Sequence, residues 1–534
     1  MHRLPVLLAL FALTLVLFCW WLHPQVLDIN RAGWTLNGKD WGQNALGLAA
    51  YLRRGGWPGT ATPLILAPDG IHLLLMDSNP LLGLVLKPFA GWLIPAGVQF
   101  IGWMMFADVA LQVMFAWILV RDHAPTRAHV LGGTALLCLL PSFFNRFPHP
   151  NLAAHWLILC GLWLFTDRVR ARRWWAWLAL IGVAGMTHSY LLLIVLAIWG
   201  SAVLREVALG PDRRGAMASV LGASGLGVLL VLLHGLNGEA PVSTGTYGSF
   251  PMALDALWNP TGPGYSAFLP GTMLNANQGF EGFQYLGVGL LLLVGIAILS
   301  AIGRRPRVDG MVWLLPAFAV LTMVAVSDVV VFGSHRLLHA RPPQWVIDGL
   351  DLVRASGRLF WPVAYAMIYA ALLAVWRMPR RDVIVAAALI LQVADMVPMM
   401  ATIRAETSAA TSTRTFRRTR DPRWSAMIAQ AGAIDVQPPD PFRDGQLLEE
   451  VGWRAMLACR PMRFMYVSRV PRAAEQRLAG ERRAFLRGEV PGDRLVLLYR
   501  GEPVPAGLRA RAMTLDGVTV IRPVMPARPA ACRS

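Results

Sequence analysis

Lysine is almost missing from this chain. Only Lys39 and Lys87 occur among 49 basic residues, so the formal charge of +18 is carried by arginine. Charge of either sign is scarce: Asp, Glu, Lys and Arg make up 15% of the 534 residues, where a soluble chain carries about 25%. That shortage excludes an ordinary soluble globular enzyme. Cysteine is rare too, at five residues, and no cysteine–histidine spacing reads as a zinc site. The chain has no Walker A motif, dinucleotide fingerprint, nucleophile elbow or zincin helix. This counts against ATP-driven transport and serine hydrolysis. Alternating ten-residue segments of the β-barrel kind are missing, and the absence of an internal repeat weakens an inverted-repeat transporter. The first apolar run ends at Cys19-Trp20-Trp21-Leu22 without a small-x-small cleavage site, so it reads as an uncleaved span.

What the chain has instead is apolar length. Hydrophobic residues are 55% of the total and the mean hydropathy is +0.48. They fall in runs of about 16–24 residues, enough to cross the hydrocarbon layer as helix. The expectation is an all-α polytopic membrane bundle of about 11 transmembrane helices, at 4–22, 97–120, 128–142, 151–167, 174–187, 188–204, 216–235, 284–302, 311–326, 358–376 and 383–400. Arginine gathers in the short turns 121–127, 168–173, 205–214, 304–307 and 377–381. The positive-inside rule then makes those turns and the N-terminus cytoplasmic. It puts the long polar loops 23–96, 143–150, 236–283 and 327–357 on the outer face. This topology accounts for much of the arginine without nucleic acid. Residues 79–94 are apolar but short and carry Lys87-Pro88, so they read as a helix lying on the outer membrane surface.

Residues 1–400 thus form the membrane domain, and 401–534 a soluble, extracytoplasmic α+β domain. In the latter, strands are expected at 463–468, 494–499 and 517–521, a helix at 474–487, and a linker at 404–420. Cys459 and Cys532 are free to form one disulfide if that side is oxidising; the sequence does not pair them.

The candidate chemistry sits in the outer loops. Asp40 is read either as the N-cap of a helix starting at Trp41 or as a general base at the membrane surface, with Gln43 one turn along to hold a polar group. Asp77 is read as a cap of the surface helix or as a second carboxylate facing the same cavity. Asp69, in Pro68-Asp69-Gly70, is a turn residue. Arg146, His149 and His155 lie close enough in sequence to hold a phosphate, although the two histidines are awkwardly spaced for a shared metal. His188 sits at an outer hinge, and Glu281 faces an outer vestibule or caps the next span. Arg354 and Arg358 are four apart, so on a helix they share one face. They stand on the side where arginine is disfavoured, either snorkelling to headgroups or holding a phosphate bidentately.

With these elements placed, the chain resembles a GT-C-type membrane glycosyltransferase: a cytoplasmic N-terminus, an acidic first outer loop with surface helices, many spans and an outer C-terminal domain. More closely, it resembles a family of uncharacterised bacterial membrane proteins of that layout. The likeness lies in Asp40-Trp41-Gly42-Gln43, Met76-Asp77-Ser78-Asn79-Pro80-Leu81, Pro148-His149-Pro150-Asn151-Leu152, Glu281-Gly282-Phe283-Gln284-Tyr285 and the stretch from Arg354 to Pro362. The resemblance implies inverting transfer of a sugar from a polyprenyl-phosphate donor to a glycan, lipid or protein acceptor. It makes Asp40 the base, Asp77 a second carboxylate, and Arg354 and Arg358 phosphate clamps, with membrane lipids as the surroundings. Many such enzymes carry paired acids in the first loop; here Asp40 follows Lys39 alone, so no cofactor is assigned and a divalent metal stays open. The competing expectations are a flippase or transporter of lipid-linked glycans and a non-catalytic envelope assembly protein.

Overall fold

A computed structural model describes residues 3–94, 97–236, 246–261, 264–302, 310–527 and 532. All eleven expected spans contain helix, but length divides them. Six helices are long and apolar enough to cross a membrane: Leu4–Trp21, Ile101–Arg121, Ser189–Leu209, Arg213–Leu233, Ser356–Val375 and Arg381–Thr411. Four more expected spans are shorter apolar helices, Pro150–Thr166, Trp174–Gly185, Val288–Ala301 and Met311–Val326. The segment at 128–142 is interrupted: helix Arg127–Cys138 stops and a separate turn begins at Pro141, because proline cannot continue the preceding hydrogen-bond ladder. Length alone thus supports six of about eleven crossings. The arginine turn at 304–307 lies outside the described residues.

The first loop is built as a platform. Helix Asp40–Arg54 is followed by a small antiparallel pair, Ala61–Thr62 with Ile71–His72, and a 3-10 turn, Leu73–Met76. The segment at 79–94 is helix broken twice, into Pro80–Leu86, Lys87–Phe89 and Ala90–Leu93. The break at Lys87-Pro88 turns the lysine ammonium back onto the carbonyls of Tyr51 and Leu52, at 3.3 and 2.7 Å. It thereby neutralises the carbonyl end of helix Asp40–Arg54. Val85, Phe89 and Trp92 remain exposed.

The C-terminal region carries a four-stranded mixed sheet. Ala433–Gln437 pairs in parallel with Arg494–Leu498, which continues antiparallel to Val518–Ile521 and then Ala512–Leu515. The expected strands at 494–499 and 517–521 and the helix at 474–487 are present, the last as Arg472–Leu486. The expected strand at 463–468 is not in the sheet; only two isolated bridges form beside it, from Met462 to Ile65 and to Ile434. This segment instead binds the first loop. Met462 N–H donates to the Leu64 carbonyl at 2.8 Å, the Met462 carbonyl accepts from Ala67 N–H at 3.0 Å, and Ser468 N–H donates to the Leu75 carbonyl. Nor is 404–420 a free linker. Helix Arg381–Glu406 runs into it, and Glu450 then accepts from the backbone N–H groups of Arg417, Arg418 and Thr419. Cys459 and Cys532 form a disulfide.

Candidate functional site

Asp40 is the first residue of its helix, not its cap. Lys39 holds the cap position without a side-chain hydrogen bond, and its ammonium pairs with Glu406 at 2.8 Å, turned away from Asp40. The Asp40 carboxylate is therefore left for tertiary contacts. Asp77 is likewise not the cap of the surface helix. It closes the 3-10 turn Leu73–Met76 in the left-handed region (φ 53°), while Asn79 caps Pro80–Leu86 through Leu82 N–H at 3.0 Å. The strained Asp77 backbone is fixed by its own carbonyl, which accepts from both Asn44 and Asn151 at 2.8 Å. The Asp77 carboxylate then meets the imidazoles of His149 and His188.

His149 joins the two. Its Nδ1 lies 2.8 Å from Asp40 Oδ2 and 3.3 Å from Asp77 Oδ2, and its Nε2 lies 3.3 Å from Glu281 Oε1. An imidazole between three carboxylates is held as the cation. Burial opposes the charge, but Asp40, Asp77 and Glu281 together raise the His149 pKa well above its ordinary value. Burial likewise pushes Asp77 up, but hydrogen bonds from His149 and His188 outweigh it and hold Asp77 below the carboxylate range. His188 Nδ1 accepts from Tyr190 N–H at 3.2 Å, so its proton sits on Nε2, 3.4 Å from Asp77 Oδ1.

Glu281 is gripped from two further sides. Arg146 donates to Oε2 at 2.7 Å and to the Phe280 carbonyl. Arg358 donates through Nε to Oε2 at 2.7 Å and through Nη2 to Oε1. Burial raises Glu281, yet the two guanidiniums outweigh it and keep the carboxyl well below its usual range. Two glycines permit the approach. A Cβ at Gly282 would lie 2.1 Å from the Pro251 carbonyl, and one at Gly357 would lie 2.7 Å from the Glu281 carbonyl.

Arg354 and Arg358 do not share a helix face. They belong to separate short turns, Asp351–Val353 and Ser356–Phe360, split at Ala355, whose N–H is held by the Tyr190 hydroxyl at 2.8 Å. Arg358 spends its donors on Glu281. Arg354 is half-buried and makes no hydrogen bond or ion pair among the described residues. His155 is separate from the cluster, with Nδ1 3.0 Å from the Tyr365 hydroxyl and its ring on Trp361. Gln43 donates to the Tyr466 carbonyl at 3.1 Å. Asp69 does more than turn the chain: it pairs with Arg477 at 2.8 Å. No group of three or more His, Cys, Asp or Glu among the described residues is arranged to hold a metal ion.

The C-terminal region adds groups that sequence reasoning missed. Glu449, on helix Gly445–Leu457, accepts from Gly38 N–H at 2.7 Å and lies where a Cβ of Gly42 would fall. Burial, reinforced by the nearby Asp40 charge, raises the Glu449 carboxyl well above its usual range. Tyr466 stands near enough to feel Asp40, Arg354 and Asp77; burial and the two carboxylates push its hydroxyl up to about 12, against the pull of Arg354. The one signal for Glu449 is the pair Glu449-Glu450 amid Leu447, Leu448, Val451 and Trp453.

In sum of formal charge, Asp40, Asp77 and Glu281 are balanced by His149, Arg146 and Arg358, so these six groups are self-neutral; Arg354, near enough to act on Tyr190 and Tyr466, is a cation in excess among the described residues. Such an arrangement can hold a carboxylate in fixed orientation, accept a proton and attract an anion. No curated protein matches the chain. A second family model, the DUF6311 C-terminal domain, matches residues 423–523. A first, described as a domain of unknown function (DUF6311), matches residues 11–397, so the chain belongs to the DUF6311 family.

Proposed function

We propose that this protein is an inverting membrane glycosyltransferase that moves a sugar from a polyprenyl-phosphate carrier to an extracytoplasmic glycan, lipid or protein. The observation that carries the reading is the state of Asp40. Its Oδ2 is fixed by the His149 imidazolium at 2.8 Å, while no hydrogen bond or ion pair among the described residues engages Oδ1. Its side chain is 23% exposed, the most open of the three carboxylates on His149. A carboxylate held on one oxygen and open on the other suits a general base.

In the proposed step the acceptor hydroxyl oxygen attacks C1 of the sugar and its proton passes to Asp40. The C1–O bond to the carrier breaks on the opposite face, and the electron pair leaves with the polyprenyl phosphate. Arg354, the cation in excess, balances the charge of that phosphate. Arg146 and Arg358, spent on Glu281, position the cluster. A lipid carrier requires the site at a membrane surface. The reading therefore takes about eleven spans in a bacterial inner membrane, an inside N-terminus and a periplasmic C-terminal domain. The Cys459–Cys532 disulfide supports an oxidising side for that domain.

The flippase reading wants unsatisfied ionisable groups inside the spans. Asp395 is taken up by Tyr285, Ser266 and Val288 N–H, and Asp108 by Trp156. These contacts favour structural roles for both. The decisive experiment is Asp40→Asn, with lipid and glycan profiling of the strain. Transfer is expected to fall about 10²–10⁴-fold, with a polyprenyl-phosphate sugar accumulating and the protein still inserted. Unchanged transfer removes Asp40 from the mechanism.

A further inference from the structure

The end of the bundle opposite the carboxylate cluster contains a second feature. Arg205 lies about 25 Å from His188 along the helix Ser189–Leu209, at 1.5 Å per residue. There a cavity of about 670 Å³ opens between the ends of Trp156–Thr166, Ser189–Leu209, Val288–Ala301 and residues 367–378. This is within the range of small-molecule sites, about 300–1,000 Å³. Its walls are mostly apolar, with Ile298, Met367 and Leu373 among them. Ile298 is 59% exposed, so the cavity opens onto the surface of the helices.

Two guanidiniums line it. Arg205 is buried, donates to the Phe165 carbonyl at 2.9 Å and lies over the Phe165 ring. No carboxylate among the described residues pairs with it, and none pairs with Arg377. Glu206 and Asp167 lie within electrostatic range of Arg205, as do Arg168 and Arg172, but none touches it, and a buried charge without a contacting counter-ion is costly. An anion in the cavity beside it, which is continuous with apolar walls, offsets that cost. His123, also on the lining, is held by the Tyr369 hydroxyl at 3.4 Å and offers a further polar edge.

We infer that this cavity binds a phosphate-headed lipid, its phosphate between Arg205 and Arg377 and one chain along the Ile298–Met367 wall. The inference does not rest on sugar transfer or on Asp40. Phosphatidylglycerol and a polyprenyl phosphate share the required chemistry, a lipid phosphate, and differ in the chain.

The test uses the full chain, stripped of lipid in detergent and titrated with phosphatidylglycerol, polyprenyl phosphate, diacylglycerol or inorganic phosphate under native mass spectrometry. Wild type is expected to take up one phosphatidylglycerol, or one polyprenyl phosphate beyond any held at the Arg354 site, in preference to diacylglycerol, and the lipid whose uptake R205Q weakens more names the source. R205Q is expected to weaken uptake about tenfold, the scale of one charge-assisted contact. I298W fills the apolar wall while keeping both arginines, and is expected to weaken it similarly. Uptake unchanged in folded I298W overturns the proposal even if R205Q does not fold. Equal binding of diacylglycerol overturns it as well. Displacement of the lipid by inorganic phosphate alone makes the ligand a free anion and also overturns it.

Discussion

Glu281 concentrates the electrostatics of the cluster. It is a buried carboxylate facing two guanidiniums and an imidazolium, and removing its charge leaves Arg146 and Arg358 buried without a counter-ion. Breaking a buried pair from one side typically costs about 3–5 kcal/mol. Glu281→Gln is therefore expected to destabilise the protein by about that amount, read as a lowered Tm in detergent. An unchanged Tm would mean that the arginines find other partners. His149 makes a second prediction, and its sign follows from direction alone. Its folded pKa is raised, so its stabilising effect is complete below the unfolded value of about 6.5 and is lost as pH rises through the folded value. Asp77 and Glu281 are lowered; their contribution is complete above about 4–4.5 and is lost as pH falls through their folded values. The cluster is thus most stabilising between about pH 4.5 and 6.5. The Tm of wild type minus that of His149→Gln should be largest there and shrink above about pH 6.5. A difference that grows with alkalinity would show His149 to be neutral in the fold.

Elements bring these residues together, and helix Asp40–Arg54 does most of it. Two of its glycines are approach points. Gly42 faces Glu449, and a Cβ on Gly47 would fall 2.0 Å from Ser78 Oγ and 3.1 Å from Met76 Cβ. Ser78 is fixed there by donating to the Asn44 carbonyl at 2.8 Å. Gly47→Ala therefore forces the helix away from the segment that carries Asp77. The expected cost is about 1–3 kcal/mol, as for other overpacked sites, with loss of transfer larger than the stability change explains. Transfer at the wild-type rate in Gly47→Ala would show that the Asp40–Asp77 spacing is not critical. This helix also marks what was legible beforehand. Its existence, and the outer-loop residues Asp40, Asp77, Arg146, His149 and Glu281, could be read from hydropathy and from ionisable groups at span ends. Their partners could not. Glu281 meets Arg358 across 77 residues and Arg146 across 135, and no local pattern encodes such pairings. Asp40 lost its capping role because the helix starts one residue earlier than its sequence suggests. The shared face expected for Arg354 and Arg358 failed because Tyr190, far away in sequence, holds the chain broken at Ala355.

At the scale of the molecule, the C-terminal region forms part of the wall of the site. Glu449 holds Gly38, Tyr466 receives Gln43, Met462 threads between Leu64 and Ala67, and Arg477 pairs with Asp69. Each contact joins residues roughly 400 apart in sequence to the loop that carries Asp40 and Asp77. The composition change after residue 400 marks a soluble domain, but composition reports solvation and carries no signal for docking. The docking implies that the membrane region alone has an incomplete site. A chain ending at Thr411 keeps every apolar helix and should still insert. It exposes the Gly38 N–H, the Leu64 carbonyl and the Leu75 carbonyl, each of which now meets a partner from the lost region. Unpaired backbone groups at a loop surface favour local opening. The truncated protein is therefore expected to be nicked by protease within residues 38–76, where the intact protein resists, and to lose transfer. Adding the separate C-terminal region back should restore resistance only if it folds and docks in trans. Transfer retained by the truncated chain would make the tail an accessory module, and the arrangement of Glu449 and Tyr466 beside Asp40 would then have no part in the chemistry.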